Sequence, residues 1–185
     1  MNKRFLPLLV AAFLLACNFL IPQASTSTPE PIAPLPTKDA LQPSKPPAAA
    51  STGFTIVRLH PGDGDLQALL MAEAQKAGEL GQMPVVEFDA TWCPPCKAIE
   101  KWLEAENEAM LKAYSGTYII KLDVDEWGWK DGSIGGFRFD AIPVYFKLDA
   151  KGNQTGEVID GGAWNEDIPE NIAPVMDEFF HEGSG

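Results

Sequence analysis

Cysteine is scarce in this chain of 185 residues, with Cys17, Cys93 and Cys96 the only three. Cys17 closes an apolar leader and the other two stand three apart, so no pair remains to staple distant parts of a fold. A folded domain must therefore be held by its apolar core. Histidine is scarcer still, with only His60 and His181. A tetrahedral zinc site needs four ligands, and the sequence has neither a second C-x-x-C nor an H-x-x-H, so no metal is expected. Positive charge is also in deficit: 14 basic residues against 26 acidic ones give a net charge of −12. No basic cluster offers a nucleic acid a footprint, and an acidic body is repelled by anionic lipid headgroups. Attachment to a membrane would have to come from something other than surface charge. No internal repeat is visible.

Residues 1–21 read as a leader. Lys3 and Arg4 precede a stretch from Phe5 to Phe19 that is apolar apart from Asn18, the layout of a secretory signal. Leu14-Leu15-Ala16-Cys17 resembles a bacterial lipobox, which implies cleavage before Cys17 and a diacylglycerol on its thiol. Leu15 is not the small residue most common there. An uncleaved anchor helix is the alternative, because the 17 residues from Phe5 to Ile21 reach the short limit of a membrane span. A signal cleaved elsewhere is another. Lipidation predicts a protein on the extracytoplasmic face of the bacterial cytoplasmic membrane, or in the periplasm, held by Cys17. Residues 22–52 carry eight prolines, from Pro22 to Pro47, and few large apolar side chains. Such a segment cannot offset its ordering entropy by burial, and it reads as an extended stalk.

Residues 53–185 read as one domain of ordinary size. Phe54–Leu59 alternates and predicts a strand. Leu66–Leu80 has helical spacing of Leu66, Leu69, Leu70, Ala74 and Ala77, and Val85–Phe88 is a short apolar run suited to a buried central strand. A helix is predicted over 95–114, with Ile99, Trp102, Leu103, Met110 and Leu111 along one stripe. Thr117–Val124 is a further buried strand. The Gly-rich stretch 126–140 reads as irregular, with room for a short helix. Its Trp127 and Trp129 would fill a gap over the sheet or line a groove. Val144–Leu148 and Gly156–Ile159 form a predicted hairpin, and Ile172–Phe180 a final helix. Early alternation of strand and helix implies parallel crossovers, and the late hairpin adds antiparallel strands. The predicted class is α/β, a central mixed β-sheet with helices on both faces.

The densest chemistry lies in Trp92-Cys93-Pro94-Pro95-Cys96-Lys97. Two cysteines three apart across the start of a helix can reach disulfide distance. At the helix N-terminus, unpaired N–H groups and the dipole favour a Cys93 thiolate, which makes it the nucleophile. Cys96, one turn in and expected to be more buried, would attack second and release the product. Cys93 is accordingly expected to lie exposed. Pro94 and Pro95 suit a first turn, where a missing N–H costs nothing, and they stiffen the loop between the sulfurs. Trp92, beside the nucleophile, is placed to dock a substrate.

This hexapeptide after a strand resembles the W-C-x-P-C-K signature of the thioredoxin superfamily. The resemblance extends over roughly 54–180 and implies a thioredoxin-like fold. It implies that Ile142-Pro143-Val144 is the cis-proline loop facing the active site. It places at Glu87, six residues before Cys93, a buried acid that moves the proton of Cys96, and at Lys121 a lysine accompanying that acid. The sequence departs from the pattern in lacking a proline between Lys97 and Tyr114, and in carrying Pro-Pro where cytosolic thioredoxins have Gly-Pro. With its leader, the chain looks more like membrane-tethered lipoprotein thiol–disulfide oxidoreductases, including reductases of cytochrome c maturation. That likeness implies no organic cofactor beyond the Cys93–Cys96 disulfide. It implies protein thiols and disulfides as partners, with electrons from a membrane thiol carrier. The alternatives are a protein oxidant or isomerase of the same fold, and a tethered binding module with a static disulfide.

Overall fold

The computed structural model describes residues 53–182. The expected leader, the stalk and Cys17 lie outside the described residues. Strand β1 (Thr55–Arg58) alternates between half-buried and exposed positions, as its sequence alternates. Helix α1 (Leu66–Glu79) starts at Asp65, whose carboxylate accepts from the Ala68 N–H at 3.0 Å, and it buries Leu70, Ala74 and Ala77. Strand β2 (Met83–Asp89) is buried from Val85 onward. Helix α2 (Pro94–Glu104) follows, then α3 (Glu108–Tyr114) and the fully buried β3 (Thr117–Asp123). Helix α4 (Val124–Trp127) is a single turn. Short strands β4 (Ser133–Ile134) and β5 (Phe137–Arg138) pair with each other. Strands β6 (Val144–Leu148) and β7 (Gln154–Asp160) form the late hairpin, and α5 (Pro169–His181) ends the domain.

The main sheet has the order β1-β3-β2-β6-β7. Strands β1, β3 and β2 run parallel, while β6 is antiparallel to β2 and to β7. This is the mixed sheet that alternation followed by a hairpin requires. One face packs Val86, Phe88, Ile120 and Leu122 against Leu70 and Ala77 of α1. The other packs Val85, Ile119 and Tyr145 against Met110 and Tyr114 of α3 and Ile172 and Met176 of α5. Strand β2 is therefore central, and whatever follows its C-terminal end leaves from the middle of the sheet.

Three expectations need correction. The helix predicted over 95–114 is two helices. Glu106 adopts a left-handed φ of 52°, and the Asn107 side chain caps the new start by accepting from the Met110 N–H at 3.2 Å. The apolar stripe continues across the break because both helices pack on the same sheet face. The stretch expected to be irregular also holds the β4–β5 hairpin, turned by Gly135 and Gly136 at positive φ. The last helix begins earlier than predicted, at Pro169, and tolerates Pro174 within it on its exposed side. Among the described residues, no helix is long and apolar enough to cross a membrane.

Candidate active site

Strand β2 ends at Asp89, and the chain turns through Ala90, Thr91 and Trp92 into α2. Cys93 is the residue that caps α2, with Pro94 and Pro95 in the first turn. The proline N atoms lack protons at positions whose N–H groups would go unused, so the pair fits without loss. The free N–H of Cys96 instead donates to the Cys93 sulfur at 3.3 Å. The two sulfurs are joined as a disulfide, with Cα atoms 5.3 Å apart. Facing them is the Ile142–Pro143 peptide, which is cis, with the Ile142 carbonyl oxygen 3.7 Å from the Cys93 sulfur. That loop is tied down from behind, where the Gly161 N–H donates to the Pro143 carbonyl at 2.9 Å.

The expectation of an exposed Cys93 is not met. Cys93 is 1 % exposed and Cys96 2 %, so the first cysteine is no more accessible than the second. The cause is local: one side of Cys93 is taken by the bond to Cys96 and another by the Ile142–Pro143 loop. Both cysteines belong to the core group of Phe88, Val124 and Val144. The exposed groups around them are Trp92, at 54 %, and Pro94. Trp92 is exposed but not free, because its indole N–H donates to Asp125 at 2.8 Å. Asp125 is itself held in α4, whose start is capped by Asp123. Trp127 and Trp129 fill a gap rather than open a groove. Trp127 donates to the Leu59 carbonyl at 3.1 Å, and Trp129 stacks on Phe139 with ring centres 5.1 Å apart.

Glu87 lies on the central strand, buried to 2 %, not on a solvent-facing edge. Lys121, its direct neighbour in the β2–β3 register, is buried as well, with Nζ 3.5 Å from Glu87 Oε1. Little in the sequence signals how crowded this pair is. Lys121 also reaches Asp89 at 2.9 Å and Glu100 of α2 at 2.5 Å, and Arg58 grips Asp89 through two hydrogen bonds of 2.9 and 2.7 Å. One part of this was visible: Glu87 and Asp89 are two apart on a strand and must share a face. Arg58 and Glu100 join them only through packing.

Lys121 lies closer to Asp89 and Glu100 than to Glu87, and Arg58 is taken by Asp89, so Glu87 has the weakest hold on a cation. Burial raises the Glu87 carboxyl to about 7, outweighing the pull of Lys121 toward the anion. Lys121 in turn is held above its ordinary value by Glu87 and Asp89, despite burial that works the other way. A cleft of about 190 Å³, lined by Ile56, Glu87, Ile99, Glu100, Leu103 and Lys121, runs from this acid along α2. The acid thus lies beside the helix that carries Cys96, one turn before Ile99. No group of His, Cys, Asp or Glu is arranged to hold a metal ion among the described residues.

A mixed sheet whose central strand feeds a helix-capping C-x-x-C, opposed by a proline loop, defines a thioredoxin-like fold. The thioredoxin family model matches residues 74–176. Thioredoxin H4 of Arabidopsis thaliana is 32% identical over 102 residues, covering 54% of this chain and 76% of that protein. An H-type thioredoxin of Oryza sativa subsp. indica is 38% identical over 101 residues, 55% of this chain and 75% of that one. Among solved structures, a thioredoxin from Nicotiana alata is 24% identical over 60% of this chain and 84% of its own, with a TM-score of 0.38. The chain belongs to the thioredoxin family. It is a thiol–disulfide oxidoreductase acting on protein disulfides, and the family's redox group is its own cysteine pair, with no added cofactor.

Proposed function

We propose that this chain reduces disulfides in exported proteins from a membrane-tethered position, with Cys93 as nucleophile and Cys96 as resolving thiol. The observation that carries the chemistry is the Cys93–Cys96 disulfide at the first turn of α2, against the Ile142–Pro143 loop. In the reduced state the Cys96 N–H is placed to donate to a Cys93 thiolate, and a charge-assisted bond there favours the anion. That thiolate attacks one sulfur of a substrate disulfide. The substrate S–S bond breaks, a mixed disulfide forms and one substrate thiolate leaves. Glu87 then takes the Cys96 proton. The Cys96 thiolate attacks the Cys93 sulfur, the mixed disulfide breaks and the second substrate thiolate leaves. The substrate gains two electrons and the cysteine pair loses them, to be restored by a membrane thiol carrier.

Burial of Cys93 means that a substrate must fit closely to reach it. Trp92 and Pro94 form the exposed rim over which it would approach, with Pro95 half-buried beside them, and Pro143 would position its backbone. Lys121 steadies the Glu87 anion that accepts the Cys96 proton. The tether rests on the leader and on Cys17 within Leu14-Leu15-Ala16-Cys17.

Equilibration against glutathione tests the direction. A reduction potential below about −180 mV fits a reductant, and one well above it fits an oxidant of the same fold. Cys96→Ser, expressed with its natural leader, should accumulate mixed disulfides through Cys93, and the proteins captured should be exported ones. Capture of none would remove the proposed substrate class.

A further inference from the structure

The acid at Glu87 has a neighbour that its strand pairing supplies and that neither the motif nor the charge cluster uses. In the antiparallel register of β2 and β6, Glu87 stands directly opposite Tyr145, so both side chains leave the same face. Tyr145 is fully buried, and from its place across the strand pair its hydroxyl pulls the Glu87 carboxyl toward the anion, against the effect of burial. Behind it lies the hydroxyl of Tyr114, on α3, at 3.1 Å and equally buried. Two phenols without access to water must be satisfied within the protein. An ionised carboxylate can only accept, so Tyr145 must donate to it, and the Tyr145 oxygen is then free to accept from Tyr114. With Tyr145 donating to Glu87, the 3.1 Å contact to Tyr114 would align two O–H dipoles, Tyr114 to Tyr145 to Glu87, on the carboxylate.

The other groups around Glu87 leave this role open. Lys121 on β3 spends its shorter contacts on Asp89 and Glu100. Asp89 on β2 and Glu100 on α2 are themselves acids, and Arg58 on β1 is bound to Asp89. Glu87 Oε1 makes no hydrogen bond among the described residues. Both phenols stay protonated at any working pH, since burial holds them well above the ordinary tyrosine value. They are therefore permanent donors.

We propose that Tyr145, backed by Tyr114, is a positioning residue that fixes Glu87 as the proton acceptor for Cys96, donating to its carboxylate from the side opposite Lys121. This rests on the reading that Glu87 takes the Cys96 proton, and the test separates the two.

The reduced full-length chain, carrying Cys17→Ser so that only the active pair reacts, is mixed with one equivalent of 5,5′-dithiobis(2-nitrobenzoate). Attack by Cys93 releases one coloured thiolate, and closure by Cys96 releases the second. The rate of the second phase is followed against pH. Tyr145→Phe keeps the ring and removes the donor. Its midpoint should move upward by about half to one pH unit, slowing the second phase roughly 3–10-fold on the acid side, with the first phase unchanged. Tyr114→Phe should shift the midpoint in the same direction by less. A Tyr145→Phe profile that overlays wild type, while Glu87→Gln abolishes the acid limb, overturns the role of Tyr145 and leaves that of Glu87 standing. An acid limb that survives Glu87→Gln overturns both. If Tyr145→Phe does not fold, Tyr114→Phe decides, and an unmoved midpoint there counts against the proposal.

Discussion

Burial raises Glu87 from an ordinary 4.5 to about 7, because a carboxylate on a central strand has lost its water and shares its one ammonium with two other acids. This makes stability depend on pH with a definite sign. Between those two values the folded state binds more protons than the unfolded one. The contribution of this group is therefore complete below 4.5 and is lost as pH rises through about 7. Glu87→Gln cannot ionise and escapes the loss. From pH 5 to pH 8 the wild type should fall relative to Glu87→Gln by on the order of 2–3 kcal/mol, measured by denaturant unfolding of the oxidised forms. A difference that is flat with pH would mean that the carboxyl titrates normally. At this scale the sequence was legible unevenly. Cys93, Cys96 and their two prolines could be read from spacing and helix-start chemistry, whereas Glu87, Lys121 and Pro143 came only with the family resemblance. Tyr145 and Tyr114 were not legible at all, because nothing in a sequence says which residue of β6 will face residue 87 of β2.

Among the elements, those with strong periodicity were readable: α1, β2, β3 and the β6–β7 hairpin lie where apolar spacing puts them. The break between α2 and α3 was not, since it needs Glu106 in a left-handed conformation and a cap by Asn107, and neither residue type compels that. Asn107→Ala removes the cap and should cost about 1 kcal/mol in chemical denaturation. The turn of the β6–β7 hairpin is more demanding. Gly152 has φ of 76°, and a Cβ there would lie 2.6 Å from the Leu70 carbonyl carbon and the Met71 nitrogen of α1. Backbone on a packed helix cannot retreat as a side-chain tip can. Gly152→Ala should therefore lower stability by about 3 kcal/mol, read as a fall in melting temperature of roughly 10 °C. A change within 2 °C or so would show that the hairpin lifts off α1 freely.

For the whole molecule, the proposed arrangement is an acidic catalytic domain on a stalk. Two anchoring acyl chains bind lastingly where one does not. Cys17→Ser should move the protein from the membrane pellet to the soluble fraction, with the rate of insulin reduction by dithiothreitol unchanged. Retention in the pellet would indicate an apolar helix as the anchor. Catalysis and tethering should separate in this way because the described residues hold a complete sheet with its own two-sided core.

The bond between residues 93 and 96 encloses only a few residues of chain. The freedom withheld from an unfolded polypeptide by a crosslink depends on the size of the ring that it closes, and here the ring is among the smallest possible. Opening it gives the denatured chain little new room to wander. The architecture can hence persist through either half of the electron cycle, ready for the next turnover without refolding.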